Sequence, residues 1–80
     1  MQVFERWTRD FSFAFPGRPP VAQTVTAEVA ERDGEVWLFV STRVGDKIAL
    51  GRAAPVGRRG AAELDRELER VGREAASLAA

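Results

Sequence analysis

Cysteine, histidine, tyrosine and asparagine are all absent from this chain, and lysine occurs once, as Lys47. Without cysteine there is no disulfide, no thiolate ligand for a metal and no thiol nucleophile, a pattern that fits a reducing compartment. Without histidine or tyrosine the imidazole base, the imidazole ligand and the phenolic acid are also missing. The chain is therefore expected to be non-enzymatic, with no metal and no cofactor. Long apolar runs are lacking too. Nothing approaches the roughly 20 residues that span a bilayer, and residues 1–15 carry Glu5, Arg6, Arg9 and Asp10 where a secretion signal needs an uncharged apolar stretch. A cytoplasmic protein with no membrane contact is expected.

An excess of either charge is lacking as well. Twelve basic and twelve acidic side chains cancel, which argues against a chain whose first task is to coat nucleic acid or an anionic membrane. The distribution is uneven. Residues 51–60 hold Arg52, Arg58 and Arg59 with no acid, whereas residues 61–80 hold five acids and three arginines. Eleven of the twelve cations are arginine and alanine is abundant, the composition of a GC-rich genome and one compatible with a thermophile.

What is present is a pattern. From Val21 to Leu50 apolar and polar residues alternate with period two, interrupted only at Asp33-Gly34 and around Val44-Gly45-Asp46. Alternation bounded by turn residues predicts an antiparallel meander. Asp-Gly suits a two-residue hairpin loop, because both residues tolerate the positive φ that matches a tight turn to strand twist. That loop sets Arg32 opposite Glu35, Val29 opposite Leu38 and Ala27 opposite Val40. One side of the meander then carries Val25, Ala27, Val29, Val36, Leu38 and Val40, and the other Thr24, Thr26, Glu28, Ala30, Trp37, Phe39 and Ser41. The second turn needs an odd loop such as Val44-Gly45-Asp46 to put Ile48 and Leu50 on the side of Leu38, and the strand is expected to fade over Arg52 to Ala54.

Both flanks can be read from spacing. Ala61, Leu64, Leu68, Val71, Ala75 and Leu78 recur at intervals of 3, 4, 3, 4 and 3, the stripe of an amphipathic helix. Glu63 with Arg66, Glu67 with Arg70 and Glu69 with Arg73 stand at helical neighbour spacing, as a solvated face. Gly72 is the misfit, costing about 1 kcal/mol against alanine inside a helix, and either close approach of a neighbouring backbone or sequence drift would explain it. At the other end, Phe11 to Phe15 alternates and stops at Pro16-Gly17, so it reads as a strand. Residues 2–9 fit either its extension or a short N-terminal helix. Pro16, Pro19 and Pro20 make a stiff connector instead of a tight hairpin. The expectation is one α+β domain over residues 1–80: an antiparallel sheet of about four strands with one C-terminal helix packed on one face.

Motifs with chemistry are few. Ser41 and Lys47 flank one exposed turn, poorly placed for a Ser-Lys dyad. Asp33, Glu35 and Asp46 lack the spacing of a Ca²⁺ loop. In Gly51 to Arg59 five residues separate the glycines where a phosphate loop has four, and Arg58-Arg59 replaces Lys followed by Ser or Thr. What remains is a weaker candidate: Arg58 and Arg59, with Arg52, beside the N-terminus of a helix could contact an anion or nucleic acid. Strands followed by a loop with paired cations opening a helix resemble the double-stranded RNA-binding domain over residues 22–80, with Arg58 and Arg59 where that family places a lysine pair. The resemblance implies α-β-β-β-α order and phosphate contacts from the start of the last helix, although the helix here is acidic.

Seven aromatic residues make the other candidate. Trp37 and Phe39 fall on the side of the meander that the helix leaves open. An aromatic sheet face can stack single-stranded bases, but Glu28 lies opposite Phe39 and no basic residue is expected among the rings on the central strands. Protein is the expected cover, either the N-terminal aromatics Trp7, Phe11, Phe13 and Phe15 or a second subunit, with an interface at Trp37, Phe39, Phe11 and Phe13. The function expected is a protein-interaction module that forms a homodimer; the alternative is a nucleic-acid binder of the double-stranded RNA type.

Overall fold

A computed structural model describes residues 2–45 and 48–79, with residues 48–50 and 79 described by their backbone alone. Four strands, β1 (Gln2–Phe13), β2 (Val21–Arg32), β3 (Glu35–Val44) and β4 (Ile48–Pro55), precede one helix, α1 (Ala61–Ala79). The strands form one antiparallel sheet in the order β1-β2-β3-β4, and α1 packs across it, chiefly on β2 and β3. The α+β meander read from the alternation is the fold found. Asp33 and Gly34 have φ of 53° and 81°, the paired positive values of a two-residue hairpin turn, and Arg32 pairs with Glu35, Val29 with Leu38 and Ala27 with Val40. At the next turn Gly45 has a φ of 62° and Val44 pairs with Ile48, so the loop is odd in length but lies one residue later than Val44-Gly45-Asp46. Asp46 and Lys47 lie outside the described residues, and with them the Ser41–Lys47 arrangement. The fourth strand continues to Pro55 instead of fading at Arg52.

Residues 2–9 are strand, which removes the short N-terminal helix and the α-β-β-β-α order that went with it. The local sequence served both periods, and pairing with β2 decides between them: Trp7 lies opposite Ala27, Arg9 opposite Val25 and Phe11 opposite Gln23. A bulge between Val3 and Glu5 lets Phe4 leave the ladder, more than half exposed. The strand stops at Phe13, short of the expected Phe15, because the Phe15 carbonyl accepts from the Arg18 N–H at 3.2 Å in a turn with Pro16 and Gly17 at its centre. Proline presets φ at the first central position of such a turn, and Gly17, with φ of 73°, supplies the left-handed second.

The core lies between the sheet and α1. Val25, Leu38, Leu68 and Val71 are fully buried there, with Ala27 and Val40 beside them and Trp7, Phe11, Val29, Val56 and Leu64 at the margin. Burial of each such aliphatic side chain contributes about 1.5–3 kcal/mol. The helix buries a shorter and wider stripe than its spacing suggests. Leu68, Val71, Gly72, Ala75 and Ala76 are buried, while Ala61 and Leu78 at its ends are exposed. Gly72 has a reason to be glycine: a Cβ there would stand 2.9 Å from Val25 Cγ2 and 3.3 Å from the Phe13 ring. Side chains of the sheet, and not a neighbouring backbone, are what approach it.

Polar contacts close the edges of this core. The buried Gln23 side chain donates from Nε2 to Thr42 Oγ1 at 2.7 Å and to the Arg43 carbonyl, and Thr42 Oγ1 donates to the Thr24 carbonyl at 2.6 Å. Among the described residues no buried side-chain nitrogen or oxygen lacks a partner. Arg9 reaches from β1 to both carboxylate oxygens of Asp65, at 3.1 and 3.0 Å, and Arg52 reaches from β4 to Glu74 at 2.8 Å. Along the helix, Glu67 with Arg70 and Glu69 with Arg73 pair as their spacing suggests, at 2.6 and 3.6 Å. The Glu67 hydrogen bond pushes the Arg70 pKa upward.

Candidate interaction surface

The other face of the sheet is covered by no element among the described residues. Strand alternation and register decide what stands on it. Reading from β1 to β4, one row is Val3, Ala30, Trp37 and Pro55; the next is Arg6, Glu28, Phe39 and Ala53; the third is Thr8, Thr26, Ser41 and Gly51. Arg32 and Glu35 close the end at the hairpin, and Asp10, Thr24 and Arg43 close the other. Large apolar groups therefore concentrate toward the hairpin, and small or hydroxylated ones toward the far end.

Trp37 and Phe39 are half-buried. Part of that cover comes from Arg32, whose guanidinium carbon sits 4.7 Å from the Trp37 ring centre and 5.6 Å from that of Phe39. A guanidinium over an indole face is attracted by the ring quadrupole, with about 0.5–1 kcal/mol at an exposed site. This corrects the expectation that no cation would stand among the rings: Arg32 shares the parity of Ala30, and Arg43 that of Phe39, so both project from this face. Arg6 does as well, paired with Glu28 at 3.0 Å. Thr24 Oγ1 donates to Asp10 Oδ1 at 2.6 Å. The cations of the face, Arg6, Arg32 and Arg43, are matched in number by Asp10, Glu28 and Glu35.

Phe11 and Phe13 are elsewhere. Both rings lie on the helix side, stacked with centroids 5.5 Å apart; Phe13 is buried, with the Arg73 guanidinium 4.8 Å from its centre. Trp7 also packs against the helix-side core. Trp7, Phe11 and Phe13 thus do not cover Trp37 and Phe39, since pairing β1 beside β2 in register sends them to the opposite side. Parity along β2 could have signalled this once β1 was known to be a strand.

The arginine candidates also separate. Arg52 stands on the helix side, opposite Val40, and is held by Glu74. Arg58 and Arg59 are exposed in the loop before α1, where the Arg59 N–H donates to the Val56 carbonyl at 3.1 Å. In the first turn of the helix the amides of Glu63 and Leu64 donate to the Gly60 carbonyl at 3.1 Å each. No cluster of carboxylates placed to hold a metal occurs among the described residues, and no described helix is long and apolar enough to cross a membrane.

A shallow depression of about 330 Å³ lies between β3 and β4, lined by Phe39, Ser41, Gly51 and Ala53 of this face together with Val40 and Arg52, which the pairing turns toward the helix side. It exists because Gly51, opposite Ser41, adds no side chain to the row, and a Cβ at Gly51 would find its nearest neighbour, the Val40 carbonyl oxygen, 3.7 Å away. Comparison with protein families, with curated proteins and with solved structures finds nothing that matches the chain.

Proposed function

We propose that the chain is a non-enzymatic interaction module that works through the open face of its sheet, with a second copy of itself as partner. The observation that carries this reading is the pair of half-buried rings, Trp37 and Phe39, shielded by Arg32 but by no other element among the described residues. Tryptophan and arginine are among the residues most enriched where binding energy concentrates in protein interfaces. Balanced charge on the face suits a self-complementary contact, and two-fold symmetry is the commonest way for one patch to satisfy itself.

Solution mass tests it. Light scattering should give the mass of two chains for the wild type, and that of one folded chain for Trp37→Glu. A wild-type chain that stays at the mass of one copy up to high micromolar concentration would refute self-association. The second reading, binding of nucleic acid, draws support from Arg6, Arg32 and Arg43 beside the rings, while the exposed Arg58-Arg59 loop is the place for a double-stranded RNA contact. Asp10, Glu28 and Glu35 oppose the first of these, and the loss of Arg52 to Glu74 weakens the second. The same measurement with added single-stranded DNA and duplex RNA should show no complex tighter than about 10⁻⁵ M at physiological salt, the nonspecific range.

A further inference from the structure

The open face is built so that one half fits the other. Along β3 its residues are Glu35, Trp37, Phe39, Ser41 and Arg43, an order in which Phe39 is central, a large ring and a small hydroxyl flank it at equal spacing, and opposite charges end it. A two-fold axis lying between two sheets and crossing the strands at Phe39 reverses that order in the second copy. Glu35 then meets Arg43 of the second copy twice over, and Trp37 meets Ser41 and its row neighbour Gly51. We infer that two copies pack face to face about such an axis, each Trp37 entering the depression at Ser41 and Gly51 of the other, with two Glu35–Arg43 pairs setting the direction.

Three observations carry this. The depression runs from the row of Phe39 and Ala53 to that of Ser41 and Gly51, so its far half lies where the axis places the second Trp37. The ends to be paired are exposed and oppositely charged, and neither Glu35 nor Arg43 is in an ion pair among the described residues. The size is adequate: four strands about 4.8 Å apart and about ten residues long at about 3.3 Å each make a flat face of roughly 600 Å², before the relief of its side chains, close to the ~800 Å² that a standard interface buries on each partner. Parallel stacking of the copies, without reversal, would set Glu35 on Glu35 and Arg43 on Arg43, charges with no ion-pair partner among the described residues, whereas the charges that the two-fold axis sets on their own copies, Arg6 and Glu28, already neutralise one another at 3.0 Å.

This arrangement rests on the self-association reading and can fail while that reading stands. Charge exchange in the full chain separates the two. Glu35→Arg and Arg43→Glu should each raise the dimer dissociation constant about tenfold or more through like-charge contacts. An equimolar mixture of the two variants should recover to within about threefold of wild type. In the mixed pair Glu35→Arg of one copy faces Arg43→Glu of the other, and the unchanged Arg43 and Glu35 meet at the second contact. Gly51→Leu should fill the depression and weaken the dimer about tenfold or more while leaving the folded spectrum of the single chain unchanged, since among the described residues a Cβ there meets only the Val40 carbonyl oxygen, at an ordinary contact distance of 3.7 Å. A wild-type dimer that tolerates both charge variants, or variants that stay monomeric when mixed, would overturn the two-fold arrangement and leave self-association standing. A monomeric wild type would remove both.

Discussion

One sheet here has two faces built by the same four strands and with different fates. The helix side joins Val25, Ala27, Leu38 and Val40 to Leu68 and Val71 in a closed core, and its polar groups, Gln23 and Thr42, satisfy one another. The open side alternates rings with charge, and part of the cover it has comes from its own arginine. Closure on one side settles stability, and incompleteness on the other creates the candidate for function. The contrast shows that exposure of a large apolar residue is informative when it is clustered and framed, as at Trp37 and Phe39. Leu78, alone at the end of α1 and exposed, has no such frame.

Substitutions can break or sharpen this contrast. The largest effect belongs to the closed side: Leu68→Ala removes a fully buried side chain and should cost about 2–5 kcal/mol in urea unfolding, the range for core leucine truncation. A loss within about 0.5 kcal/mol, the range of surface sites, would mean that α1 is not docked where Leu68 meets Leu38. Gly72→Ala comes next, because two effects of opposite sign compete there. Helix propensity gains about 1 kcal/mol, while overpacking against Val25 and Phe13 costs about 1–3 kcal/mol. Net destabilisation of about 1 kcal/mol is expected, and it should shrink when Val25→Ala is combined with it in a double-mutant cycle. Stabilisation by the single change would show that the helix can lift away without cost. The smallest effect is at the rim: Arg9→Ala removes a half-exposed pair with Asp65 and should cost about 0.2–1 kcal/mol, falling further in high salt. The open-face variants Trp37→Glu and Gly51→Leu complete the contrast, since they should change the assembly, whereas Leu68→Ala should change the fold.

Legibility followed the range of the interactions. Asp33-Gly34 disclosed its turn and register because φ preference is a local property of those two residues. The stripe around Leu68 and Val71 disclosed a helix for the same reason. Residues 2–9 did not disclose their state, since Val3, Trp7 and Phe11 satisfy both a helical stripe and a strand face, and only the hydrogen bonds to β2 break that tie. The candidate surface was half legible. Trp37 and Phe39 could be placed opposite the helix by parity alone. Arg32 stacked on them, and the concavity at Gly51, needed the fold of the side chains and the position of β4.

What the amino-acid sequence determined by itself was therefore the set of strands from Val21 onward, the hairpin register and the helix, because each depends on neighbours a few residues apart. Tertiary structure decided which aromatics became core and which stayed outside. Pairing β1 against β2 sent Phe11 and Phe13 under the helix and left Trp37 and Phe39 without them. It also parted Arg52 from Arg58 and Arg59, by giving Arg52 a carboxylate on α1. Those outcomes depend on contacts between residues far apart in the chain, such as Arg9 with Asp65 and Phe13 with Gly72, whose distance in space is set only when the sheet and helix are assembled.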